Sequence, residues 1–120
     1  MENTTKKKDC MFCDIIERNL PSILVNEEDF VILEDIKPDA KKHLLCIPKA
    51  HFENIYDAQP ENFETIKNMM EYVKNNADEL GVPDGCRITI NNGAKAAQTM
   101  FHCHMHVLGG QQLKHTERQF

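Results

Sequence analysis

Three histidines fall within five residues, at His102, His104 and His106. In an extended segment successive side chains point to opposite faces. The three imidazoles are therefore expected on one face, and Phe101, Cys103, Met105 and Val107 on the other. With six His in 120 residues, chance places such a triplet in roughly one chain in 70. Neighbouring imidazoles repel when both are protonated, so near neutral pH at least one is biased to its neutral, nucleophilic form. A neutral imidazole can attack phosphorus, and a second can donate to the oxygens or the leaving group. The spacing alone leaves phosphate chemistry, metal binding and a chance surface run all open. One zinc on all three would need the strand to bend, because alternate side chains splay about 7 Å apart and zinc ligands lie at about 2 Å.

Two further groups could do chemistry. Asn91 to Gln98 is a loop of small residues with Thr99 after it, and its backbone N–H groups would suit an anionic oxygen such as a phosphate supplies. Cys10 and Cys13 form a Cys-x-x-Cys pair behind a polar tail. By spacing it is a zinc half-site lacking two ligands, a reduced pair without a role, or a redox dithiol.

The elements that must position these groups can be read from periodicity. Asp14 to Asn19 is a short helix stopped at Leu20-Pro21. Ile23–Val25 and Phe30–Leu33 flank a polar turn, as a hairpin does. His43 to Pro48 reads as a buried strand. Phe63, Ile66, Met69, Met70, Val73, Ala77 and Leu80 recur at spacings of three and four. They predict the core stripe of one long helix running from Pro60 to Gly81 and Pro83. Cys86 to Ile90 and Met100 to Leu108 complete five strands. The expectation is a single α+β domain with a mostly antiparallel sheet, one long helix and a short N-terminal one. Residues 1–9 read as a disordered polar tail, 10–112 as the domain and 113–120 as a C-terminal tail.

Composition narrows the partners. The chain has 14 Lys and Arg against 19 Asp and Glu, a net charge of −5, and no Trp. That balance does not suit tracking of a nucleic-acid backbone, and Lys6 to Lys8 is read as a solvated extension. No segment approaches the roughly 18–20 apolar residues of a membrane span, and no apolar stretch follows the N-terminal lysines. Five Cys, an odd number, are expected to be reduced thiols in the cytoplasm. Cys46, Cys86 and Cys103 fall in apolar strands as small core residues, and His115 carries no assigned role.

The run from Asn91 through His102-Cys-His104-Met-His106 to Gly110 resembles the signature of the histidine triad (HIT) family. Its Val-Leu-Gly-Gly ending is similar to the Hint branch, the purine nucleoside phosphoramidases. Cys10-x-x-Cys13-Asp-Ile-Ile, Leu33-Glu-Asp35-Ile-Lys-Pro38 and His43-Leu-Leu-Cys-Ile-Pro-Lys49-x-His51 match in the right order, so the likeness spans about residues 10–112. It implies that His104 becomes nucleotidylated, that His106 contacts phosphate and assists the leaving group, and that His43 orients them or handles a proton. Asn91, Ala97, Gln98 and Thr99 would hold phosphate, Asp35 the ribose hydroxyls with Ile36 beside it, and Phe12, Ile15 and Leu33 the base. Likeness to zinc-carrying bacterial members implies structural zinc on Cys10, Cys13, His51 and His102. It also implies a homodimer that hydrolyses nucleoside 5′-phosphoramidates or related purine nucleotide adducts. Hydrolysis of dinucleoside polyphosphates, and a zinc-held nucleotide-sensing module with little turnover, are the alternatives. The ending Gln111 to Phe120 departs from the Trp-containing ending common in the Hint branch.

Overall fold

The computed structural model describes residues 9–115. The predicted disordered tail lies outside these residues except for Asp9, as does the C-terminal tail beyond His115. The chain runs α1 (Met11–Arg18), β1 (Ile23–Asn26), β2 (Phe30–Glu34), β3 (Lys42–Pro48), α2 (Pro60–Asn75), α3 (Ala77–Leu80), β4 (Cys86–Thr89) and β5 (Met105–Gly109). The five strands form one sheet in the order β1-β2-β3-β5-β4. Every neighbouring pair is antiparallel, so the α+β expectation holds.

Alternation along the strands gives the sheet two apolar faces. On one, Phe30, Ile32, Leu44, Cys46, Met105 and Val107 pack against Met69 and Val73 of α2, with Leu80 and Val82 at the end. On the other, Val31, Leu33, Leu45 and Ile47 pack against Phe12 of α1. Leu45 lies opposite His106 in the β3–β5 register, and residues directly opposite share a face. His106 therefore emerges on the α1 side. Cys10 caps α1, its sulfur accepting from the Cys13 N–H at 3.3 Å, and Asn19 ends the helix in the left-handed region at φ 49°.

Four expectations need correction. The predicted long helix is broken at Asn76, whose φ/ψ of −127°/27° separates α2 from α3. There the Asn76 side-chain amide donates to the Tyr72 carbonyl at 3.0 Å, the acceptor that its own backbone N–H also uses. This side-chain competition is why Asn interrupts helices. Nor is the whole stripe core, since Phe63 and Met70 are about half exposed, at 49% and 48%.

The predicted strand from Met100 begins only at Met105. Its last rung to β3 is Cys46 with Met105. Beyond that the Pro48 carbonyl is taken by the His102 imidazole at 2.7 Å, and the Cys103 N–H donates to the Phe52 carbonyl at 2.8 Å. A ladder cannot continue through groups already committed elsewhere. Cys46 and Cys103 are buried as expected, but Cys86 is exposed, because it opens the edge strand β4.

Candidate functional site

The chain end of α1, the loop after β3 and the segment before β5 converge on a first cluster. Cys10 Sγ lies 3.4 Å from His102 Nδ1, and Cys13 Sγ lies 3.3 Å from His51 Nδ1 and 3.6 Å from His102 Nδ1. The two Nδ1 atoms are 3.1 Å apart. An ion held tetrahedrally, with bonds of about 2.0 Å to nitrogen and 2.3 Å to sulfur, would separate its ligands by about 3.3 Å (N to N) and about 3.5 Å (N to S). The four ligand atoms lie within 4.8 Å of one another and could hold a metal ion. His102 is fully buried. Its Nε2–H donates to the Pro48 carbonyl, which leaves the Nδ1 lone pair facing the two sulfurs. Burial, together with neighbouring imidazoles, pushes the His102 pKa down to about 4, against the lift from the Pro48 hydrogen bond. The neutral, ligating form is therefore the resident one.

A second cluster gathers around the other two histidines of the run, His104 and His106. The Asp39 N–H donates to His43 Nδ1 at 3.0 Å, so the neutral His43 carries its proton on Nε2. That Nε2–H donates to His106 Nδ1 at 2.9 Å, and the His106 proton is in turn placed on Nε2. His104 has the opposite tautomer: its Nδ1–H donates to the His102 carbonyl at 2.8 Å, leaving an Nε2 lone pair. The His104 and His106 rings are 5.0 Å apart. Burial lowers the pKa of both, and the charges of His104 and His43 lower that of His106 further, partly offset by Asp35 and Asp39. Asp35 Oδ2 lies 3.4 Å from His43 Nε2. By distance Asp35, His43 and His106 could also hold a metal ion, but the Asp39 N–H keeps the His43 proton where a ligand lone pair would be needed. The set suits moving a proton better than binding an ion.

The surrounding residues are brought together unevenly. Phe12 stands edge-on to His102 and His104, at ring distances of 5.8 and 5.1 Å. Ile15 packs beside it against the cluster that contains Leu33. Ile36 projects into solvent at 91% exposure. Asn91 is partly buried, whereas Ala97 and Thr99 are exposed. Gln98 is buried with its bonding capacity filled. Its Oε1 accepts from Asn54 Nδ2 and the Gly93 N–H, and its Nε2 donates to the Glu53 and Met100 carbonyls. Its side chain braces the loop instead of facing a ligand. The N–H groups of Ala96, Ala97 and Gln98 likewise close the turn onto Gly93 and Ala94, so they do not form the anion cradle expected there.

Asp39, Asn54 and Pro48 were not anticipated from the sequence. Only Asp39 carried a signal, lying in the polar loop four residues before His43. A cavity of about 640 Å³ lies elsewhere, between Val82, Cys86 and Arg87 and the segment from Gly110 to Leu113. No residue of either imidazole cluster lines it, so concavity alone does not find this site.

Comparison with known proteins agrees with the geometry. The family model described as "Scavenger mRNA decapping enzyme C-term binding" matches residues 9–119. An uncharacterized HIT-like protein of Synechocystis is 38% identical over 104 residues, 86% of this chain and 91% of that one. The solved structure of a HIT family hydrolase from Clostridium thermocellum is similar with a TM-score of 0.84 and 35% identity, covering 93% of this chain and 99% of the other. A Zn-bound histidine triad family protein from Mycobacterium smegmatis is similar with a TM-score of 0.74 and 34% identity, over 86% of this chain and 76% of that one. By its sheet, its paired imidazole clusters and these likenesses, the chain belongs to the histidine triad family.

Proposed function

We propose that this protein is a nucleotide hydrolase that cleaves nucleoside 5′-phosphoramidates or related nucleotidyl adducts through a covalent intermediate on His104. The observation that carries the reading is the tautomer pattern, an Nε2 lone pair on His104 beside an Nε2–H on His106. Attack forms the bond from His104 Nε2 to the α-phosphorus as the P–N bond breaks, and the electron pair leaves with the nitrogen. The departing nitrogen takes the single Nε2 proton of His106 as the bond breaks and leaves as the neutral amine. The cationic His104 adduct keeps its Nδ1–H on the His102 carbonyl. Water then attacks phosphorus, returns a proton to the pair and releases the nucleoside monophosphate. Two easier displacements replace one hard one.

Phe12, Ile15 and Leu33 would wall a purine base, and Asp35 with Ile36 would meet the ribose. Asn91, Ala97 and Thr99 would edge the phosphate, with Gln98 holding their loop. Zinc is the ion assigned to Cys10, Cys13, His51 and His102. The donor set and its spacing support that assignment, as does the Zn-bound M. smegmatis relative. The half-exposed Phe63 and Met70 of α2 and Ile88 of edge strand β4 support a homodimer that covers them. That none of the five cysteines forms a disulfide supports a reducing, cytoplasmic setting, and no helix among the described residues is long and apolar enough to cross a membrane.

The test is hydrolysis of adenosine 5′-phosphoramidate by the wild type and by His104→Ala. Loss of a nucleophile is expected to lower kcat roughly 10⁴-fold or more, with a phosphorus-linked adduct trapped only on the wild type. Equal rates would remove His104 as the nucleophile. Tight nucleoside monophosphate binding without turnover would favour a sensing module.

A further inference from the structure

We propose that Cys10 and Cys13 form a peroxide-reactive dithiol, and that its closure to a disulfide ejects the ion from the Cys10–Cys13–His51–His102 cluster. The ejection rests on zinc being the ion of that cluster, whereas the closure rests only on the geometry of the pair. Cys10 is the N-cap of α1, in extended backbone at φ −98° and ψ 121°, and Cys13 stands in the first helical turn. The Cys10 sulfur accepts the Cys13 N–H at 3.3 Å. Both sulfurs face one atom, His102 Nδ1, at 3.4 and 3.6 Å, and they lie within 4.8 Å of each other. Residues three apart at a helix start have Cβ atoms about 5–6 Å apart, and a disulfide needs about 3.5–4.5 Å. The small approach falls to Cys10, whose backbone lies outside the helical region.

The two sulfurs are unequally placed. Cys10 is partly exposed, whereas Cys13 is 3% exposed. An oxidant arriving from solvent meets Cys10 first, and Cys13 stands behind it to resolve the product. The remaining cysteines differ. Cys46 and Cys103 are buried, which pushes their pKa up to about 12 and keeps them as unreactive neutral thiols. Cys86 is exposed on edge strand β4, and partial desolvation raises its pKa too.

An ion keeps both cluster sulfurs as thiolates, the form that attacks peroxide. The Cys10 thiolate attacks one peroxide oxygen, the O–O bond breaks, and hydroxide leaves a sulfenic acid on Cys10. The Cys13 thiolate then attacks the Cys10 sulfur, the S–S bond forms, and a second hydroxide leaves. Two electrons pass from the two sulfurs to the peroxide, and both negative charges depart with the hydroxides. Metal binding and disulfide closure therefore exclude each other, because both use the same two sulfurs. With two imidazoles remaining, the ion is weakly held, and its release undoes the tie from α1 to residues 51 and 102. In a reducing setting the open, metal-bound form is the resting one, so closure reports a rise in peroxide.

The test uses the full chain, zinc-loaded, in a Cys86→Ser background that removes the other exposed thiol. Hydrogen peroxide is added, zinc release is followed with a chromophoric chelator, and cysteine oxidation is read by peptide mass mapping. About one zinc should be released per Cys10–Cys13 disulfide formed, and dithiothreitol with added zinc should restore the loaded protein. Cys10→Ser keeps the helix cap and removes the attacking thiol, so oxidation of Cys13 by peroxide should slow at least about tenfold. Zinc that stays bound under peroxide sufficient to oxidise a free thiol would overturn the proposal. So would zinc release with Cys10 carried to a sulfinic acid and no disulfide, or Cys13 oxidised at an unchanged rate in Cys10→Ser. A protein that never binds zinc would overturn the ejection, and the mass map by itself then decides whether the pair closes.

Discussion

The two imidazole clusters are built from the same five-residue run, yet they differ in where their protons go. In the first, His102 gives its only proton to the Pro48 carbonyl, and its other nitrogen faces two thiols and a second imidazole. Lone pairs converge on a point, an arrangement that becomes favourable when a cation occupies it. In the second, every nitrogen with a protein partner alternates donor with acceptor, from the Asp39 N–H through His43 to His106. Convergent lone pairs make a clamp, whereas alternating donors and acceptors make a path for protons. Within the run His102 is sealed and His104 and His106 are half-buried, but burial does not separate the clusters, since His43 is buried and Cys10 and His51 are only partly so.

The largest break in this comparison should come from emptying the clamp. Cys13 is 3% exposed and sits between His51 and His102. Cys13→Ser, or chelation of the wild type, is expected to cost at least about 4 kcal/mol of stability. Urea melts with and without added zinc measure it, and an unchanged midpoint would make the cluster a set of ordinary buried side chains.

A smaller effect should follow at the loop proposed to edge the phosphate. Gln98→Ala strands Asn54 Nδ2, the Gly93 N–H and the Glu53 and Met100 carbonyls. Partly compensated by water, this should cost about 2–3 kcal/mol and raise KM more than it lowers kcat. Steady-state kinetics beside thermal melts would separate the two. A variant with unchanged KM would mean that the loop does not touch substrate.

The smallest effect is a pH dependence. His106 is held below the ordinary histidine value of 6.5 by burial and by His104 and His43. Its folded pKa is depressed, so between that pKa and 6.5 the unfolded chain binds more protons, and stability must fall as pH drops through this window. Asp35 opposes the depression. In zinc-loaded protein, Asp35→Asn should therefore steepen the loss measured between pH 7.5 and pH 5.5, by under about one pKa unit of effect. A shallower dependence in the variant would mean that Asp35 does not act on this imidazole.

Much of the fold was legible because burial imposes period. The apolar runs at Phe30–Leu33 and His43–Pro48 and the stripe containing Met69 and Val73 needed only alternation or helical spacing to be placed. The failures occur where a polar side chain competes with the backbone. Asn76 takes the Tyr72 carbonyl and breaks the helix, and His102 takes the Pro48 carbonyl and delays the last strand. Periodicity cannot see either competition, since both depend on which acceptor comes within reach. Gln98 shows the same limit: its type suited a phosphate contact, and its four actual partners come from three separate stretches of chain.

By itself the sequence determined which residue types were present in a useful pattern: three alternating imidazoles, a cysteine pair, and strands able to carry them. Local spacing and burial are sufficient for that, because they act through near neighbours in the chain. Only the tertiary structure decided how the imidazoles divide and which nitrogen of each carries the proton. His102 turns to residues 92, 89 and 51 positions away in the chain, and His43 meets His106 across 63. A tautomer is set by the hydrogen-bond partner that folding supplies. In this protein those partners are the carbonyls of Pro48 and His102 and the N–H of Asp39.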